Sequence, residues 1–125
     1  MKIHQSAENY LETIYVLTKR NGSVRSIDIA NELGFSKPSV SVAMKALREN
    51  GYIDVSGDGR IILLEAGIKI AEKLYERHTV LTNALMALGI SEETASEDAC
   101  KIEHILSEET FNAIKAHFNS KKTRV

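Results

Sequence analysis

The chain has 125 residues, 43% of them apolar and 26% charged, which suits one compact domain or a small unit fused to a helical second half. Its formal net charge is −1, and residues 1–64 hold eight Lys/Arg against seven Asp/Glu, so any polyanionic partner must be met by local placement of charge. The single cysteine, Cys100, excludes an intramolecular disulfide and fits a reducing compartment; no signal-peptide order or membrane-length apolar run is present, so a cytoplasmic location is expected.

Residues 7–20 place Ala7, Leu11, Ile14, Tyr15 and Leu17 at helical spacing, with Ser6 as the expected N-cap and Asn21-Gly22 as the stop. Ser26 is the expected cap of a short helix that buries Ile29, Ala30 and Leu33 and ends at Gly34. Ser36 then opens a third helix with Pro38 in its first turn, running to about Asn50 with Gly51 as its exit. Two β-branched segments, 52–55 and 60–64, flank the hairpin tip Ser56-Gly57-Asp58-Gly59. A long amphipathic helix from Glu65 to about Leu88 carries Ile70, Ala71, Leu74, His78, Leu81 and Leu85 on one stripe. Gly89 breaks it, and Ser91 opens a helix to about Leu106, with Glu92 and Glu93 at its positive end. Ser107 caps a last helix containing Phe111, Ile114 and Phe118, and the basic tail 120–125 is expected to fray.

This order of short helix, tight turn, second helix and two-stranded hairpin predicts a winged helix-turn-helix. The fold class expected is mainly α: a winged helix-turn-helix over 1–64, then an all-helical domain over 65–125. The third helix begins with short hydroxyls and a cation, and its free N–H groups can meet phosphate oxygens. Val40, Met44 and Leu47 form its buried side. The DNA-binding candidates are therefore Ser36, Lys37, Pro38, Ser39, Ser41, Val42 and Lys45, with Arg60 beside the wing tip. Arg48 lies on or near the same exposed side. Double-stranded DNA is the expected partner.

The second half holds a different chemistry. Cys100, Glu103 and His104 stand at i, i+3 and i+4, so a thiolate, a carboxylate and an imidazole share one expected helix face. His78 interrupts an apolar stripe and needs a partner there, whether a hydrogen bond or a metal ion. Asn9 and Glu12, one turn apart on the first helix, are further oxygen donors. On the residues alone, a divalent transition-metal site stands level with an inert buried thiol beside hydrogen-bonded core residues. A metal-dependent hydrolase is disfavoured, since no general base stands apart from the ligand candidates. A redox sensor built on Cys100 would lack a resolving cysteine in the chain.

These residues resemble the diphtheria-toxin-repressor and manganese-transport-regulator family of iron-dependent repressors. The resemblance is carried by Glu8-Asn9-Tyr10-Leu11-Glu12-Thr13-Ile14-Tyr15, Asp28-Ile29-Ala30, Pro38-Ser39-Val40-Ser41, Arg77-His78 and the stretch from Asp98 to Ser107. It implies a repressor that binds palindromic operator DNA as a homodimer when loaded with Fe(II) or Mn(II). It further implies metal ligation by Glu12, His78, Cys100, Glu103 and His104, with Asn9 where relatives carry Met or Asp. Ser39 and Ser41 fall on DNA-contacting positions. Cys100 matches the iron-responsive branch and Glu12 the manganese-responsive one, a hybrid set that leans towards Fe(II) with Mn(II) next. Thr82 stands where iron-responsive members place a carboxylate of an ancillary site, and Val42 where they often place Gln. A short form without the SH3-like domain of longer members is expected. The alternative is a winged-helix regulator whose metal site has degenerated, binding DNA constitutively or under another ligand.

Overall fold

The computed structural model describes residues 5–122; residues 1–4 and 123–125 lie outside the described part, as does the end of the tail expected to fray. The elements in order are α1 (Gln5–Asn21), α2 (Ser26–Leu33), α3 (Lys37–Glu49), β1 (Ile53–Val55), β2 (Ile61–Leu63), α4 (Glu65–Ala87), α5 (Glu92–Ile102) and α6 (Glu108–Lys122). The mainly α winged-helix architecture expected from the sequence is what forms.

Helical spacing becomes burial in α1, where Leu11, Ile14 and Leu17 face inward. Ser6 is an internal residue of this helix, which already starts at Gln5, and not its cap. A similar shift occurs at α2. Arg25 takes the N-cap position, and its backbone N–H donates to the Asp28 carboxylate at 2.9 Å, so Ser26 is the first helical residue. At α3 the expected start holds: the Ser36 hydroxyl accepts from the Ser39 backbone N–H at 3.3 Å, and Pro38 sits in the first turn. Gly51, at φ +82°, turns the chain out of α3 into the wing.

The wing is a tight antiparallel hairpin in which Ile53 pairs with Leu63 and Val55 with Ile61. Ile53 and Ile61 point inward while Ile62 is exposed, the alternation a half-buried ribbon requires. Leu11, Ile14, Ile29, Val40, Leu47, Ile53, Ile61 and Ala71 join in one apolar core, which draws the start of α4 onto the winged helix. Gly67 makes that approach possible: a Cβ there would stand 2.3 Å from the Tyr52 carbonyl oxygen.

The chain divides into two compact units within α4, between Lys73 and Leu74. The sequence suggests a division at 64/65, where the wing ends. The first turns of α4 lie with the first unit because Ala71 belongs to its core. In the second unit Leu74, Leu81, Ala84, Ala95, Ala99 and Phe111 are buried. Two charged side chains, Arg77 and Glu103, are buried as well. Helix α5 stops at Ile102, one turn before the expected end at Leu106, and α6 continues to Lys122. No helix among the described residues is long and apolar enough to cross a membrane.

Candidate metal centre and nucleic-acid interface

All eight DNA-binding candidates, Ser36, Lys37, Pro38, Ser39, Ser41, Val42, Lys45 and Arg60, are exposed. The buried side of α3 is formed by Val40, Met44 and Leu47, as the periodicity predicts. Val42 is 71% exposed, high for a β-branched apolar residue without a packing partner to justify it. The Ser36 and Ser39 hydroxyls bond each other at 2.8 Å, so the N-terminus of α3 is ordered before any ligand arrives. Arg48 is exposed on the same helix and lies 3.7 Å from Asp54 of β1.

The wing tip is a compact polar knot. The Ser56 N–H donates to the Arg60 carbonyl at 2.9 Å, and the Gly59 N–H donates to the Ser56 carbonyl at 3.0 Å. The Arg60 guanidinium pairs with Asp58 at 2.8 Å, and the Arg25 side chain donates to the Asp58 carbonyl at 3.1 Å. The Ser56 hydroxyl donates to the Asp58 carboxylate, and with Arg60 this holds the Asp58 pKa down from 3.8 to about 2. Sequence spacing put Arg60 at the tip but gave no sign that Asp58 would neutralise part of its charge.

In the second unit, the Glu103 carboxylate is fully buried. Its Oε2 lies 3.1 Å from His78 Nδ1, and its Oε1 lies 3.5 Å from Nε2 of the neighbouring His104. The His104 side chain is itself only 1% exposed. The second nitrogen of His78, Nε2, meets the Ser96 hydroxyl at 3.2 Å. With Glu103 ionised its carboxylate can only accept, so Nδ1 of a neutral His78 carries the proton and Nε2 accepts from Ser96.

Two imidazoles meet opposite oxygens of a fully desolvated carboxylate, and donors of these types suit a first-row divalent cation. A buried carboxylate is costly unless positive charge and hydrogen bonds compensate it, and a cation supplies the strongest such compensation. The residues present therefore fit a metal. His78, Glu103 and His104 are brought together. Cys100 lies on α5, one turn earlier, with its side chain exposed. Asn9 and Glu12 are half-buried residues of α1 in the first unit. Thr82 is partly buried, and its hydroxyl has no hydrogen-bond partner among the described residues.

Sequence reasoning missed Ser96 and Arg77 as parts of this cluster. Ser96 is an isolated polar residue on α5 and carries no motif. Arg77 is visible as the basic half of Arg77-His78, but its burial, at 4% exposed, requires partners that lie 26 to 31 residues away.

Together the two units define a class: winged-helix transcriptional regulators with a helical metal-binding domain. Residues 2–61 match the profile of the iron-dependent repressor N-terminal DNA-binding domain. Residues 64–124 match that of the iron-dependent repressor metal-binding and dimerisation domain. An uncharacterised HTH-type transcriptional regulator of Methanocaldococcus jannaschii is 36% identical over 123 residues, 97% of this chain and 98% of the relative. The transcriptional regulator MntR of Escherichia coli O6:H1 is 37% identical over 108 residues, 86% of this chain and 70% of the relative. Among solved structures, the manganese regulator SloR superposes with a TM-score of 0.80 at 26% identity, covering 95% of this chain. IdeR of T. acidophilum gives a TM-score of 0.80 at 24% identity, a likeness of fold. This chain spans 55% of each of those two structures' chains. The chain belongs to the iron-dependent repressor family of manganese- and iron-dependent transcriptional repressors.

Proposed function

We infer that this protein represses transcription by binding a palindromic operator as a homodimer, and that Fe(II) or Mn(II) switches the binding on. The DNA-binding domain is assigned to residues 1–64 and the dimerisation and metal-binding domain to 65–125. Recognition rests on Ser36, Lys37, Pro38, Ser39, Ser41, Val42 and Lys45 of α3 and its cap, with Arg60 on the wing. Short hydroxyls at a helix N-terminus suit phosphate contact, and two such helices in a dimer suit half-sites one helical turn apart.

One observation carries the regulatory part: a fully buried Glu103 carboxylate flanked by His78 and His104 at 3.1 and 3.5 Å. His78, Glu103 and His104 are assigned as ligands, with Cys100 reached by a turn of its exposed side chain. Glu12 and Asn9 are assigned as oxygen donors from α1, on the strength of the family resemblance and their chemistry. A bound divalent cation would supply positive charge to the carboxylates. Metal shifts the population towards a DNA-competent arrangement only by binding that arrangement better than the others.

The deciding experiment is anaerobic calorimetry of the reduced protein with Fe(II) and Mn(II), repeated on Glu103→Ala. It is paired with operator selection from random duplexes at fixed salt, with metal and with chelator. Tight binding lost in the variant, and duplex capture that needs metal, is expected. Equal DNA affinity with metal and with chelator would overturn the regulatory reading and leave a constitutive winged-helix binder.

A further inference from the structure

We propose that Arg77 is a positioning residue of the metal centre, clamping the end of α5 so that Glu103 and His104 are presented to His78 before metal arrives. The inference rests on the metal-responsive reading above and adds a residue to it.

A helix that ends leaves its last carbonyls without intrahelical donors. At the end of α5 the hydrogen bonding tightens: Ile105 N–H donates to the Ile102 carbonyl at 3.0 Å, a three-residue step. Into this turn Arg77 inserts its guanidinium. One nitrogen, Nη1, donates to the Glu103 carbonyl at 3.0 Å and to the Leu106 carbonyl at 2.7 Å. The other, Nη2, pairs with the Glu108 carboxylate at 3.0 Å, in the first turn of α6. The Phe111 ring lies 5.1 Å from the guanidinium carbon, giving a cation–π contact. A cation here also opposes the negative end of the α5 dipole.

Two consecutive residues of α4 therefore hold one residue of the turn. Arg77 holds the Glu103 main chain, and His78 meets the Glu103 carboxylate. Burying a guanidinium is expensive, and a structural role at a helix end could be met by water or an exposed lysine. The location buys something specific, because the clamped turn contains both Glu103 and His104. Only a planar fork reaches two carbonyls and a carboxylate at once; an ammonium is a point charge on a flexible stem.

The test compares wild type with Arg77→Lys, Arg77→Gln and Glu108→Gln. Two readouts are taken: calorimetric Mn(II) affinity, and the His78 imidazole ¹⁵N signals of the metal-free protein. The second reports the His78–Glu103 contact directly and does not depend on any metal. Arg77→Lys is expected to fold, to move the His78 signals, and to weaken Mn(II) binding about 10- to 100-fold, as loss of outer-shell partners does. Arg77→Gln should weaken it at least as much. If that variant fails to fold, Arg77→Lys carries the test, together with Glu108→Gln, which alters an exposed anchor and should weaken binding less than Arg77→Lys does. His78 signals unmoved in Arg77→Lys would overturn the proposal, as would wild-type Mn(II) affinity in that variant. Failure of the wild type to bind Mn(II) or Fe(II) would instead overturn the metal reading, with the His78 signals still deciding what Arg77 does.

Discussion

The two units solve opposite problems with their functional side chains. In the first, the core is wholly apolar, and the residues assigned to DNA stand outside it on α3 and the wing. In the second, charged side chains enter the interior: Glu103 is fully buried and Arg77 nearly so, while Cys100 stays exposed. A recognition surface can change without touching the fold beneath it. A buried polar centre cannot, because each member is the hydrogen-bonding partner that makes its neighbour's burial tolerable.

The largest expected effect sharpens that contrast from the apolar side. Leu11 is completely buried in the core of the first unit. Leu11→Ala should destabilise that unit by about 2–5 kcal/mol, the range for a large-to-small change in a packed core. Urea unfolding followed by hydrogen exchange reads it unit by unit. If the units unfold independently, protection is lost in α1–α3 first, while amides of α5 keep theirs. Simultaneous loss in both would show one cooperative structure and blur the comparison.

What the sequence makes legible follows the same division. The α3 start, its buried side and the wing hairpin are local events, written in the Ser36 cap, Pro38, and the glycine-rich tip between two β-branched segments. Periodicity places them without knowledge of any distant residue. The α2 cap slipped because Ser26 is a plausible cap, yet Asp28 reaches back to the Arg25 N–H and fixes the start one residue earlier. In the second unit, Glu103, His104 and His78 could be nominated by residue type and spacing. The end of α5 could not. Arg77 reaches across from α4 to the Glu103 and Leu106 carbonyls in the turn that follows α5, contacts between residues 26 and 29 positions apart. Ser96 escapes for the same reason: its meaning depends on facing His78, which spacing within α5 cannot reveal.

Ser96 gives the next largest effect, now from the polar side. Its hydroxyl meets His78 Nε2 while Nδ1 of the same ring faces Glu103. A hydroxyl is both donor and acceptor, so Ser96 could hold Nε2 of His78 in either tautomer if that ring served as a ligand. Ser96→Ala removes that accommodation. Metal affinity should fall about tenfold, the lower end for an outer-shell partner of a histidine ligand. The melting temperature should change little, since Ser96 is only partly buried. Unchanged affinity with a lowered melting temperature would make Ser96 a packing residue and weaken the picture of an interlocked polar interior.

The smallest expected effect tests whether the recognition surface really is independent of the fold. Asp58 holds Arg60 at 2.8 Å on the exposed wing tip, and its pKa is lowered to about 2 by the Ser56 hydroxyl and Arg60. A carboxyl whose folded-state pKa lies below its ordinary 3.8 stabilises the tip above that ordinary value. The contribution is lost as pH falls through about 2, so the Asp58 carboxyl ¹³C signal should titrate there and not near 3.8. Asp58→Asn removes the titration and releases the Arg60 guanidinium. Affinity for non-specific duplex DNA should then rise a few-fold at low salt, and its salt dependence should steepen by up to about one phosphate contact. The core of the first unit should keep its stability, because both side chains are about half exposed and exposed ion pairs contribute little. A rise in DNA affinity without loss of stability fits a surface that can be retuned freely. If instead the wing loosens and affinity falls, Asp58 is needed to aim Arg60, and the recognition surface shares the interdependence of the metal centre.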